Sequence, residues 1–227
     1  MTSPYDISRT HKGTATLTFD GFIRDMLTKL GASSHAVNIW VPDLKKDSVF
    51  PTENSNPLPN VTHQLGEHLC RRQLLPGKDL DCLQAVFMKN IHKSLTWEHL
   101  DGEPVLISMP GEKTVSLLGW CREVLLNAAT KSFFGERLQL IEPNLFRSFF
   151  IFDDNSWKLN YGYPYILSRE MYSAKDKIID ALTIYFKLPK SERSGEASLI
   201  RNFEIEMRGL GIVDKDIAAL VMPVYWV

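Results

Sequence analysis

The chain has 227 residues, 44% apolar and 23% charged, with a formal net charge of −1. That length suits one or two domains with a sizeable core, and the composition is ordinary for a globular protein. Near-neutral charge without a block of like charges excludes the electrostatic footprint of a nucleic-acid binder, and no apolar run is long enough to predict a membrane span.

Residues 1–16 are small and polar and read as a flexible lead-in. The start, MTSPYDISRTHKGTATLTFD, carries neither the apolar stretch of a signal peptide nor the arginines of a transit peptide. The expectation is therefore an intracellular, cytoplasmic chain whose three cysteines are reduced thiols. Without export, Asn60-Val61-Thr62 is a chance match to the glycosylation sequon. Residues 17–227 read as one helical domain.

Phe19, Phe22, Ile23, Met26, Leu27 and Leu30 recur at helical spacing and predict a first helix that stops at Gly31. A loop rich in Pro, Asn and Ser follows between Pro42 and Pro59. His63 to Leu74 reads as helix, ended by Pro76-Gly77. Leu80, Leu83, Phe87, Ile91 and Leu95 then mark the stripe of another, starting near Lys78 or Asp79. The one strand expected lies in GEPVLISMPGE, 102–112. Thr114 is the expected cap of a long helix through Val115, Leu118, Val124, Leu125, Ala128 and Ala129, ending at Gly135. Pro143 takes a first-turn position ahead of Leu145, Phe146, Phe149 and Phe150. Ser168 caps a helix through Tyr172, Ile178, Ile179, Leu182 and Phe186 that stops at Pro189. Ala197, Ile200, Phe203, Met207 and Leu210 mark the next. In the last helix, from Asp214, residues Ile217, Ala218, Leu220, Val221, Val224, Tyr225 and Trp226 leave almost no polar face. A helix apolar all round belongs inside a core. No cap or polar tail closes it, so its apolar surface is expected to need partners outside this chain. The class is mainly α.

Self-contained catalytic motifs are missing: there is no G-x-S-x-G, H-E-x-x-H, G-x-G-x-x-G or Walker loop. His63/His68 and His92/His99 are five and seven apart, whereas ligands on one helical face want three or four. Cys82 and Cys121 interrupt amphipathic helices and read as small core fillers. Gly66 to Cys70 has the G-x-x-x-C spacing of a haem-thiolate loop. It lacks the leading Phe, and Arg72 stands where the second glycine belongs, so it reads as chance. Ten aromatic residues fall between Phe133 and Tyr165, among them Phe146, Phe150, Phe152, Trp157, Tyr161 and Tyr163. They predict either a hydrophobic core or the wall of a pocket for a large apolar molecule; periodicity favours the core.

Four segments in order carry a resemblance. They are VSLLGWCREVLLNAATKSFFGERL (115–138), IEPNLFRSFFIFDDNSWKLNYGYP (141–164), ALTIYFKLP (181–189) and EIEMRGLGIVDKDIAALVMPVYWV (204–227). This order resembles the middle of fungal cytochrome P-450 proteins, the haem-thiolate monooxygenases, of the subgroup similar to sterol 7α-hydroxylases and prostacyclin synthase. The resemblance implies an incomplete cytochrome P-450-type helical fold in which Asp216-Ile217-Ala218 opens the long helix crossing the haem face. It implies relatives that are membrane-anchored in the endoplasmic reticulum. They would oxidise a sterol, terpenoid or polyketide with O₂ and electrons from a reductase, a haem serving as cofactor.

The departures set the expectation for this chain. No Glu is followed three places on by Arg, and no F-x-x-G-x-x-x-C-x-G occurs. No catalytic, cofactor-binding or metal-ligating residue of the family can be placed here. The expectation is a truncated member that binds no haem and is inactive alone. Two rival readings are a haem-free binder of an apolar ligand, and an interaction protein that docks through Tyr225 and Trp226.

Overall fold

The computed structural model describes residues 20–41, 69–100 and 104–226, most of them in helices. The lead-in 1–16, the loop 42–59 and the start of the helix expected over His63–Leu74 lie outside the described residues.

Helix α1, Asp20–Leu30, buries Leu27 and Leu30 and ends at Gly31, whose φ of 102° suits a residue without a Cβ. Helix α2, Ser34–Trp40, is capped by Ser33, which accepts from the Ala36 amide. Residues 69–74 are helical and turn at Pro76-Gly77 into α3, Lys78–Ser94. The apolar stripe of α3 is half-covered at most: none of its residues is buried.

The single expected strand is a hairpin. Strands β1, Val105–Met109, and β2, Glu112–Val115, pair antiparallel, with Met109 opposite Glu112 across Pro110-Gly111. Thr114 pairs with Ile107 inside β2, so it does not cap the next helix. That role falls to Ser116, whose Oγ accepts from the Gly119 amide at 3.3 Å and starts α4, Leu117–Phe134. A Thr and a Ser two places apart are both good caps, and the pairing of β-branched Thr114 decides between them.

A short helix, α5, spans Arg137–Ile141, a stretch without an expected element. Asn144 is the N-cap of α6, Leu145–Asn160, so Pro143 precedes that helix instead of occupying its first turn. After a 3₁₀ turn at Tyr165–Leu167, α7 runs over Arg169–Lys187. Ser168 holds its cap position, but its hydroxyl makes no cap bond and is buried without a partner. Helices α8, Ser198–Gly209, and α9, Asp214–Trp226, complete the chain. Pro223 lies within α9 without ending it.

Helix α7 is the hub, packing on α5, α6 and α9. It contributes Ile178, Leu182, Tyr185 and Phe186 to a core shared with Leu138, Phe152, Met207 and Leu220. Every residue from Ile217 to Met222 is at most 2% exposed. The apolar surface of α9 is thus covered largely from within this chain, against the expectation of outside partners. Burying each large side chain contributes about 1.5–3 kcal/mol, which fixes α9 firmly against α7.

Candidate functional site

The largest concentration of buried chemistry lies where α7, α8 and the connection between them meet. Tyr185 and Phe186 end the apolar stripe of α7, and the polar stretch after Pro189 folds back across them. Arg193 points inward from that stretch and is 1% exposed along its side chain. Its guanidinium carbon lies 5.1 Å from the Tyr185 ring centre and 5.8 Å from that of Phe186. One terminal nitrogen donates to Glu196 at 3.1 Å; the other reaches both Glu204 oxygens, at 3.0 and 2.8 Å. Glu204 also accepts from Arg208 Nε at 2.8 Å, and Arg208 pairs with Asp214 at 2.6 Å.

The cluster therefore ties four pieces together: the end of α7, its following loop, α8 and the start of α9. Burial pushes the Glu196 carboxyl above the usual carboxylate range, and Arg193 only partly offsets it. Burial, then the Glu196 charge, likewise pushes the Tyr185 phenol upward. Buried carboxylates with raised affinity for protons are common at catalytic sites. Here the carboxylates and the guanidinium bond chiefly to one another, and Arg193 Nε is left without a partner. Chemically the arrangement is a brace.

A second buried carboxylate, Asp216, stands where the family resemblance would open a long helix. It accepts from the backbone amide and the hydroxyl of Ser33, each at 2.7 Å. It thereby fixes the start of α9 to the loop between α1 and α2.

The aromatic stretch divides in two. Phe134 meets Tyr185 and Tyr225 edge-on, Phe149 meets Tyr225, and Phe152 meets Trp226. These rings fill one another's space as core. Tyr161, Tyr163 and Tyr165 lie exposed at the turn that follows. Tyr225 and Trp226, expected to anchor a partner, are bound inside the chain: Tyr225 pairs with the Thr130 hydroxyl at 2.8 Å, and Trp226 donates to Asp153 at 2.9 Å.

Among the described residues, the expected cysteine and histidine positions do not converge. Cys82 is exposed on α3, which corrects its reading as a core filler: the stripe it interrupts is not buried. Cys121 is half-buried on α4. Cys70 is half-buried too, and burial pushes its thiol above its ordinary value. His92 is exposed near the end of α3, while His63, His68 and Gly66 lie outside the described residues. Among the described residues no group of three His, Cys, Asp or Glu is placed to hold a metal. None of the described helices is long and apolar enough to cross a membrane.

Sequence reasoning missed the Arg193 brace. The Glu204/Arg208 spacing of four was a visible signal. Arg193 and Glu196 stand in a polar stretch, KSERSGE, that reads as a solvated loop. No protein-family model matches this chain, and no curated protein matches it.

Proposed function

We propose that this chain is part of a cytochrome P-450-like haem-thiolate monooxygenase and supplies helical scaffold to it. Relatives would oxidise a hydrophobic small molecule, a sterol, terpenoid or polyketide of fungal secondary metabolism. The observation that carries this reading is the four-segment sequence resemblance; the cover that α9 finds within this chain weighs against it. The helix opened by Asp216-Ile217-Ala218 is enclosed over Ile217–Met222 and packs against α7. The segments that carry the sequence resemblance fall largely on α4, α6, α7, α8 and α9, which contribute to one core.

In that chemistry a cysteine thiolate donates electron density to the haem iron, and the protein orients an apolar substrate over it. The described residues do not fit the group. A haem-thiolate ligand stands in a glycine-lined loop that lets the backbone pass close to its sulfur. Cys70 lies in the helical stretch 69–74, Cys82 within α3 and Cys121 within α4, none of them in such a loop. The 227 residues are therefore proposed to carry no oxygenase activity alone.

The test is a carbon-monoxide difference spectrum of the reduced protein after incubation with haem. The expected result is no thiolate-type Soret band, and its appearance would refute the inactivity. The family reading is tested at the gene. In-frame coding sequence after codon 227 that carries E-x-x-R and F-x-x-G-x-x-x-C-x-G is expected; continuation without them would sink the assignment.

A further inference from the structure

Helices α6 and α7 pack together and enclose a polar cavity of about 330 Å³. Asn144, Arg147 and Ser148 line it from the start of α6, and Glu170, Ser173 and Lys177 from the first half of α7. Each set recurs at three- and four-residue spacing, so each occupies one helical face. Ile151 and Ala174 are the only apolar residues in the lining among the described residues.

None of the six polar side chains is spent. Asn144 holds the N-cap position of α6 but makes no cap bond. Arg147 and Lys177 form no ion pair with another described residue, although Glu170 lines the same cavity. Ser148 is only 4% exposed, yet its hydroxyl has no hydrogen-bond partner among the described residues. Unlike the sealed, unpartnered hydroxyl of Ser168, it stays accessible, and what it meets is the cavity. A buried hydroxyl left unpaired costs free energy, so the cavity is where its partner belongs.

Two cations, two hydroxyls and an amide converge at the amino end of α6, where the helix dipole also favours an anion. Glu170 stands among them as an acceptor. Sulfate brings no proton for that carboxylate, and a carboxylate ligand brings only two oxygens for the donors. A phosphate ester brings three terminal oxygens, and a hydroxyl on its organic part supplies the donor that Glu170 lacks. The polar lining leaves no surface for an acyl chain. We propose that this cavity binds a small phosphorylated polyol, its phosphate on Arg147, Lys177 and Ser148 and a hydroxyl on Glu170. The inference rests on the cavity alone and is independent of the monooxygenase reading.

Isothermal titration calorimetry of the 227-residue protein tests it, with glycerol 3-phosphate as the probe and propyl phosphate, glycerate and sulfate for comparison. Glycerol 3-phosphate should bind one to one. Propyl phosphate should bind about five-fold more weakly or worse, because it leaves Glu170 without a donor, and Glu170→Gln should remove that preference. Arg147→Gln and Lys177→Gln, both at exposed positions, should each weaken binding about ten-fold with the thermal unfolding midpoint in place. Lys187→Gln, at a cation of α7 outside the cavity, should leave binding unchanged. The proposal is overturned by absence of binding at millimolar probe, or by equal losses in Lys187→Gln and Lys177→Gln. Glycerate or sulfate binding as tightly as glycerol 3-phosphate would overturn it, as would sedimentation with phosphatidate vesicles without binding of the soluble ester.

Discussion

Replacing Arg193 by Met removes the charge at the centre of the buried brace while keeping most of its volume. Glu204 would keep Arg208 at 2.8 Å, but Glu196 would keep only the long Tyr185 hydroxyl bond at 3.3 Å and Arg201, 3.9 Å from its other oxygen. Both carboxylates are at most 3% exposed along their side chains, so water cannot replace the lost donors. Removing one partner of a buried ion pair costs about 3–5 kcal/mol, because the charge left behind stays desolvated. The cation–π contacts with Tyr185 and Phe186 go too, but the Met stem retains part of that packing. The expected loss is therefore about 3–5 kcal/mol, a large fraction of the stability of a marginally stable domain. Urea unfolding followed by far-UV circular dichroism reads it as a lower midpoint at unchanged slope. A control separates lost charge from lost shape: adding Glu196→Gln and Glu204→Gln to Arg193→Met should recover part of the deficit, since no anion then remains unpaired. A loss below about 0.5 kcal/mol for Arg193→Met would refute the brace, because ordinary surface substitutions stay within that range.

Two further outcomes follow from neighbouring residues. The Glu196 carboxyl has a raised pKa in the fold, so the folded state holds its proton to higher pH than the unfolded chain does. Its contribution is fully present below the unfolded value of about 4.3 and falls as pH rises through the folded value. Stability of the wild type relative to Glu196→Gln should accordingly decline from pH 4 upward, as read by urea midpoints; a rising difference would contradict the burial argument. Gly135, at φ 68°, ends α4 where the brace loop crosses, and a Cβ there would lie 2.2 Å from the Ser194 carbonyl oxygen. Gly135→Ala should destabilise by more than about 1 kcal/mol, since both the backbone conformation and the loop position are incompatible with a methyl group. An unchanged thermal midpoint would show that the loop is not seated on α4.

Periodic apolar spacing alone determined the long helices of this protein, while the short α2 and α5 carry too few apolar repeats to announce themselves. Phe22 to Leu30 gave α1, and Ile178, Leu182 and Phe186 gave the buried face of α7, because a 3.6-residue repeat has one compact way to hide its stripe. The apolar circumference of α9 likewise announced a buried helix, though not that its cover would come from this chain's own α7. Local chemistry was ambiguous where two residues compete for one role. Thr114 and Ser116 are both caps in sequence, and only the pairing of β2 with β1 separates them. The stripe of α3 looked like that of α1, yet it packs chiefly on α4 and stays half-covered, which puts Cys82 at the surface.

Burial of the charged residues was decided by tertiary structure alone. Arg193 and Glu196 lie in a hydrophilic stretch that any local rule assigns to solvent. They enter the interior because Tyr185 and Phe186 offer ring faces to the guanidinium, while α8 brings Glu204 to its other side. Asp216 accepts from Ser33, 183 positions away in sequence. A side chain's own preference for water is a local property that sequence displays. The partners that outweigh that preference come from distant segments, and only the folded chain brings them together.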